Sequence, residues 1–255
     1  MPKVSVIMSV FNGGSYLEKS INSILNQTFE DFEFIIINDG SIDNTLSIIE
    51  SFNDNRIRII NQENIGLTKS LNKGIVRSKA NLIARVDADD LCDPKRLKLQ
   101  YDRFSMENNL VLLGTKVIYK TSNTIKKSSF LNDSEMIKKI NVHNPLAHSS
   151  VMFRKQAFLE VGGYNESYKT AQDFDAWLKL SKYGKVSMID EFLVTINLSP
   201  NTISRKKLFN QALNGYRIRR DNVNIIINIY LTIRQIFLGL IPIKIVEIKR
   251  SLFDG

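Results

Sequence analysis

Cysteine is almost absent: Cys92 is the only one in 255 residues. That excludes an internal disulfide framework and any cysteine zinc site, and it fits a reducing compartment. Histidine is nearly as scarce, with His143 and His148 alone, which excludes a histidine-rich metal cage. Five prolines and twelve glycines leave no room for a long flexible linker. The apolar stretch Val4–Val10 follows a lone Lys3 and breaks at Asn12 and Gly13. It is too short for a secretory core segment, so no signal peptide is expected, and it reads as a buried strand. What remains is an ordinary globular composition, 43% hydrophobic and 24% charged, of a length for one large domain with an appendage.

The net charge of +9 is unevenly spread. Residues 201–255 hold ten lysines and arginines against Asp221, Glu247 and Asp254, an excess of seven, leaving two for the first 200 residues. A near-neutral body with a basic end argues against a nucleic-acid partner for the main domain and leaves an anionic partner open for the tail.

Strand-like and helix-like patterns alternate through the first half. The continuous apolar run 4–10 predicts a strand covered on both faces, 34–37 reads as a second buried strand, and 56–60 and 82–86 read as a third and a fourth strand. Between them, Tyr16, Leu17, Ile21, Ile24 and Leu25, then Leu46, Ile48, Ile49 and Phe52, then Leu67, Leu71 and Ile75 recur at helical spacing. Ser15 stands where a cap would, and Asp93-Pro94 predicts a further helix start. This βαβαβαβ order predicts a parallel sheet with helices on both faces, and ligands in such sheets bind at the carboxyl ends of the strands. Two acidic turns, Asn38-Asp39-Gly40 and Asp87-Ala88-Asp89-Asp90, fall at such ends. In the second half, 111–119 and 125–130 read as extended, 134–140 as a short helix, 149–153 as a strand and 174–180 as a helix.

Three carboxylates within four residues repel one another, and burying them unpaired is costly. A hard divalent cation, Mn²⁺ or Mg²⁺, would neutralise the 87–90 cluster, with substrate phosphates completing its shell; a solvated turn is the simpler reading. Asp39 can accept a hydrogen bond from a base edge or a ribose hydroxyl, or else bond its own turn. On a wheel at ~100° per residue with Asp173 at zero, Trp177, Phe174, Leu178 and Leu180 share its arc, whereas Asp175 falls near 200°, Lys179 near 240° and Gln172 near 260°. Asp173 is thus predicted on the inward face, where burial would raise its pKa as a general base requires. A helix N-terminal carboxylate favoured by the dipole is the alternative. His148, entering an apolar strand, reads as a satisfied structural histidine ahead of a substrate or metal contact.

Together these pieces resemble the inverting family 2 glycosyltransferases of bacterial polysaccharide type. The resemblance is carried by residues 3–12, by Ile35-Ile36-Ile37-Asn38-Asp39-Gly40-Ser41 with Asp43 and Thr45, by Asn64-Ile65-Gly66 followed by 69–74, and by Val86-Asp87-Ala88-Asp89-Asp90. It continues through 148–154, Gly162-Gly163-Tyr164-Asn165-Glu166 and Gln172-Asp173-Phe174-Asp175-Ala176-Trp177-Leu178, in the family's order, over roughly residues 3–205. It implies a GT-A fold, an α/β architecture with a Rossmann-like, mostly parallel central sheet, and here a C-terminal helical tail. It also implies a nucleotide-diphosphate sugar donor, a hydroxyl acceptor and Mn²⁺ or Mg²⁺, and the basic, apolar tail points to a lipid-linked or cell-surface glycan as that acceptor. By the resemblance Asp39, Ser9, Phe11, Asn64, Lys69, Asp87 and His148 bind substrate, Asp89 is the main metal ligand with Asp90 beside it, and Asp173 is the catalytic base. Two departures stand out: Ser9 where the family often has proline, and Gln172 where a glutamate usually precedes the base.

The expected division is a transferase domain over 1–205 and a basic, apolar helical tail over 206–255. Residues 225–241 carry one charge, Arg234, with Asn228, Thr232, Gln235 and Gly239 gathered on one side and basic residues flanking. That pattern suits a helix lying on an anionic membrane, with packing on the main domain or in a homodimer as alternatives, and Pro242 ending or kinking it. A cytoplasmic protein, peripheral on the inner face of the cell membrane, is the expected setting. The turn after the first strand lacks the Gly-x-Gly-x-x-Gly of dinucleotide folds, and the phosphate-cradling Gly-x-x-x-x-Gly-Lys motif is absent. Leu91 stands where a haloacid-type phosphatase needs threonine or valine. A glycoside hydrolase pair of carboxylates leaves Asp39 unexplained. A non-catalytic nucleotide-sugar-binding subunit of the same fold is the remaining alternative.

Overall fold

The computed structural model describes residues 1–198, 208–220 and 222–240. Strands β1 (Val4–Val10) and β2 (Phe32–Asp39) are buried at every residue, as continuous apolar runs require. With β3 (Ile57–Gln62) and β4 (Leu82–Arg85) they form a parallel block in the order β3-β2-β1-β4. Helices α1 (Leu17–Leu25), α2 (Thr45–Glu50) and α3 (Leu67–Arg77) make the crossovers. Because strand side chains alternate, β1 feeds two cores. Val4, Val6, Met8 and Val10 pack with α1 and α2, while Ile7 packs with Leu71 and Ile75 of α3. Gly74 lets α3 approach this closely, since a Cβ there would lie 2.8 Å from Ile37 and 3.1 Å from Ile7.

The second half continues the sheet: β5 (Leu91–Cys92), α4 (Arg96–Met106), β6 (Leu110–Lys120), β7 (Ile125–Lys127), α5 (Asp133–Ile140), β8 (Met152–Arg154), α6 (Lys155–Glu160), α7 (Gln172–Tyr183) and β9 (Lys185–Asn197). The full order is β3-β2-β1-β4-β8-β6-β9-β5, with β7 on the far part of β6. Strand β8 runs antiparallel to both β4 and β6, so parallel pairing belongs to the first four strands and to β6 with β9.

Several local expectations shift. Ser15 sits inside a 3-10 turn, Gly14–Tyr16, and α1 has no side-chain cap. The helix expected from Asp93-Pro94 begins at Arg96, with the Asp93 carboxylate accepting from the Lys95 amide at 2.9 Å. The 149–153 strand shrinks to Met152–Arg154 behind a 3-10 turn at His148–Ser150. Strand β9, thirteen residues long, was not anticipated.

Two helices close the described chain, α8 (Leu208–Arg219) and α9 (Ile225–Leu240). Ile218 of α8 packs on Phe174 and Leu178, covering the outer face of α7. The boundary expected near 205 and the stop expected at Pro242 lie outside the described residues. Among those residues no helix is long and apolar enough to cross a membrane.

Candidate active site

From β1 the chain moves outward through β2 to β3, then returns to the other side of β1 with β4. The reversal makes the carboxyl ends of β1 and β4 a topological switch point, where open α/β sheets bind ligands. The loops after β1, β2 and β4 meet there. A cavity of about 440 Å³ at the opposite end, lined by Met1, Lys3, Asn81 and Arg154 among others, contains no carboxylate.

The loops after β1 and β2 are laced together. The Asn12 amide donates to Ser41 Oγ (3.0 Å), the Ile42 amide to Asn12 Oδ1 (3.0 Å) and the Gly13 amide to Thr45 Oγ1 (2.8 Å). Ser9 is buried at the end of β1, whereas Phe11 is half-exposed beyond it. Asp39, buried, ends β2. Its Oδ1 accepts from Gln62 Nε2 (2.8 Å) and the Ile65 amide (2.9 Å), and its Oδ2 from the Gly66 amide (2.9 Å). A carboxylate has about four lone-pair sites, so one remains for a ligand. Gly40, at φ +76°, admits the 63–64 backbone where a Cβ would lie 2.5 Å from the Asn64 nitrogen. Asn64 and Lys69 are exposed on this rim.

Two strand spacings away, roughly 10 Å, lies the acidic turn. Ser20 Oγ of α1 donates to the Asp87 carbonyl (3.0 Å), and Asn197 Nδ2 at the end of β9 to the Asp89 carbonyl (2.5 Å). Asp90 is buried and accepts from the Asn197 amide (3.1 Å). Burial, reinforced by Asp87, pushes its carboxyl up to about 8. Asp89, partly exposed, is also raised, by burial and then by Asp87. Asp87 pairs with Arg85, which is 2% exposed. Burial disfavours the Arg85 charge, and Asp87 and Asp90 help to restore it.

These residues suit a hard cation: their donors are carboxylate oxygens, and neighbours that resist joint ionisation lose that resistance beside a divalent charge. Among the described residues no three His, Cys, Asp or Glu side chains converge to hold a metal alone. Any such cation would therefore need ligands from substrate.

Asp173 lies in the first turn of α7, after Ala171 at φ +62°, a strained conformation for a residue with a Cβ. Asn144 Nδ2 donates to its Oδ2 (2.7 Å) and the Phe174 amide to its Oδ1 (2.9 Å). Burial raises its pKa, with Arg85 pulling it down and Asp87 pushing it up. Asp173 thus shares an electrostatic neighbourhood with the acidic turn. His148 Nε2 meets Tyr164 Oη at 2.8 Å, and burial followed by Arg85 holds its pKa well below the usual value, so it is neutral. Asn72 of α3 clamps the Tyr164 backbone in both directions, with its Nδ2 donating to the carbonyl (2.9 Å) and the Tyr164 amide to its Oδ1 (3.1 Å).

Asp173, expected on the inward face, stays partly exposed, and its neighbours depart from the wheel. Gln172 and Asp175, expected to face away, are 7% and 8% exposed, while Ile218 of α8 packs on Phe174 and Leu178, which the wheel turned inward. Arg85 was missed altogether, although a charge inside the run 82–86 is itself a signal of a site. Arg85 Nε, Trp177 Nε1 and Gln172 Oε1 are buried without hydrogen-bond partners. Asn144, Gln62 and Asn197 carried no sequence signal, since their partners are distant in the chain.

The family description "Glycosyl transferase family 2" matches residues 5–162. The O-antigen biosynthesis glycosyltransferase WbnJ of Escherichia coli is 35% identical over 182 residues, 69% of this chain and 71% of that protein. Among solved structures, S. aureus TarS 1–349 in complex with UDP-GlcNAc superposes with a TM-score of 0.70 at 17% identity, over 92% of this chain and 71% of that one. The mannosyltransferase PcManGT of Pyrobaculum calidifontis, in complex with GDP-Man and Mn²⁺, gives 0.65 at 14% identity, over 94% and 74%. The likeness to these structures establishes the GT-A fold.

Proposed function

The chain belongs to glycosyl transferase family 2 and is a glycosyltransferase, and we propose on that footing that it moves a sugar from a nucleotide-diphosphate sugar to a hydroxyl of a glycan or lipid-linked acceptor, with inversion. The observation that carries this reading is that Asp39 and the 87–90 turn follow parallel strands on either side of β1, with Asp173 within the electrostatic reach of Asp87 and Arg85. The transferase domain runs over 1–205, and the remainder is an appended tail.

Asp39 accepts from the base, with Ser9, Phe11, Asn64 and Lys69 around the nucleoside and Asp87 toward the ribose or phosphates. Asp89 and Asp90 would hold Mn²⁺ or Mg²⁺. When bound, the cation supplies Lewis-acid stabilisation of the departing diphosphate, worth several kcal/mol. Asp173, oriented by Asn144, takes the proton of the acceptor hydroxyl. The oxygen then attacks the anomeric carbon in line, and the carbon–oxygen bond to the diphosphate breaks with its electron pair leaving on the nucleoside diphosphate. His148, neutral, lines the acceptor side and carries no charge in this step. The setting is cytoplasmic, at the inner face of the membrane, with no nucleic-acid partner.

A panel of UDP-, GDP- and dTDP-sugars with Mn²⁺, followed by thermal shift and by turnover, tests the reading. The cognate donor at 100 times its Kd stabilises by about 2.7 kcal/mol and turns over with a glycan acceptor. No stabilisation by any donor overturns it. Binding without turnover across many acceptors makes the chain a binding subunit instead.

A further inference from the structure

Helix α9 is turned inside out. A surface helix ordinarily presents its apolar stripe to the core and its polar side to water. Here Asn228 and Thr232 are buried, at 1% and 8% exposure, along with Arg219 of α8. Arg219 Nε donates to Asn228 Oδ1 and Nη2 to Thr232 Oγ1, both at 2.9 Å, and Asn228 Nδ2 donates to the Tyr216 carbonyl at 2.9 Å. The apolar side faces outward: Ile226 is 74% exposed, Tyr230 62%, Ile227 51%, Ile233 48% and Ile229 45%. Taking Asn228 as zero and ~100° per residue, these five span roughly 100° to 260° of the helix. Phe209 on α8 is also 60% exposed.

A contiguous apolar face of this kind marks an interaction surface. Its charge selects the partner. Arg234 is exposed and falls within the same arc, near 240°. Arg217 is exposed near the end of α8. A two-fold dimer through this face would be isologous and would set the basic rim of one copy against that of the other. An anionic lipid surface offers the opposite charge, and arginine can extend its guanidinium to headgroups while its stem lies among apolar groups.

We propose that the outward face of α9 docks on the surface of an anionic lipid bilayer. The site stands on the α8–α9 pair alone and does not depend on the sugar-transfer reading, though it would bring the sheet's cleft to a lipid-linked acceptor.

Co-sedimentation of the full chain with phosphatidylcholine vesicles, with and without phosphatidylglycerol, tests it, with donor binding followed in parallel. Wild type binds the anionic vesicles at least about tenfold more tightly, and salt weakens the binding. The Ile226→Ser/Ile233→Ser variant loses about tenfold or more of that binding, with its thermal transition and donor binding unchanged because both residues lie on the surface. Equal binding by variant and wild type, or no binding by wild type, overturns the proposal. So does self-association in sedimentation equilibrium that the same variant abolishes, which would make a second copy the occupant.

Discussion

Arg85 and Asp87 close an ion pair, Nη1 to Oδ2, at the carboxyl end of β4, and this pair links the acidic turn to Asp173. Arg85 is 2% exposed, while 37% of the Asp87 side chain remains in reach of water. The arginine is the costlier partner to bury, and it lowers the pKa of Asp173 and Asp89 alike. Replacing it should therefore change both stability and chemistry.

For Arg85→Gln, the expected loss of stability is about 1–3 kcal/mol, below the range for fully buried pairs because water can solvate Asp87. The acidic limb of kcat/KM should move to higher pH, since Asp173 loses a positive neighbour. Arg85→Lys should restore most of that shift. Urea unfolding and a pH–rate profile measure the two effects separately, and an unmoved acidic limb would free Arg85 of any role beyond the fold.

Asp173→Asn removes the proposed base while keeping its shape. Transfer should slow by about 10²–10⁴-fold with donor affinity little changed. In wild type, burial raises the Asp173 pKa, so the ionised base is lost at a higher pH than for an ordinary aspartate, and activity should fall as pH drops through that raised value. A variant turning over at the wild-type rate would remove Asp173 from the reaction.

Asp90 makes stability depend on pH in the opposite sense to an ion-paired carboxylate. Its folded-state pKa of about 8 lies above the ordinary unfolded value of ~3.9. Between those values the folded chain holds more protons than the unfolded chain, so this group's contribution declines as pH rises across the window. In chelator, the Tm of Asp90→Asn should fall less than that of wild type between mildly acidic and mildly alkaline pH. Mn²⁺ should offset the wild-type decline if Asp89 and Asp90 are ligands. Melting curves at each pH decide both points.

Asp39 holds the 62–66 loop through the Ile65 and Gly66 amides. Asp39→Ala leaves those donors unpaired, at about 1–3 kcal/mol, and amide hydrogen exchange at residues 65 and 66 should speed up by about tenfold or more. Nucleotide affinity should fall with it. Gly40→Ala attacks the same junction from the other side, forcing a Cβ against the Asn64 backbone at a positive φ, and should destabilise by roughly 1–3 kcal/mol. Unchanged exchange in Asp39→Ala would show that the loop is held by other contacts.

Much of this site was legible along the chain because the relevant signals are local. β1 and the Phe34–Ile37 part of β2 announce themselves as apolar runs, and Asp39 and the 87–90 turn follow strand patterns. The failures are non-local. Gln172 and Asp175 are buried, and Phe174 and Leu178 are covered by Ile218 of α8, some forty residues later in the chain, which no wheel drawn on α7 can contain. Strand β9 was missed because its sequence, with Asp190 and Glu191 in its middle, lacks the clean runs of the first four strands. Its order comes from parallel pairing with β6.

Periodicity and turn chemistry alone determined the order of the first four strands and the helices between them, and which carboxylates stand at their ends, since both depend on residues within a few positions of one another. Only the tertiary structure decided that Arg85 lies between two groups of carboxylates, that Asn144 and Asn197 orient them, and that α9 presents isoleucine to the outside. Each of those outcomes depends on which surfaces meet after the chain has closed on itself, and a hydrogen bond spanning many residues leaves no trace in local spacing.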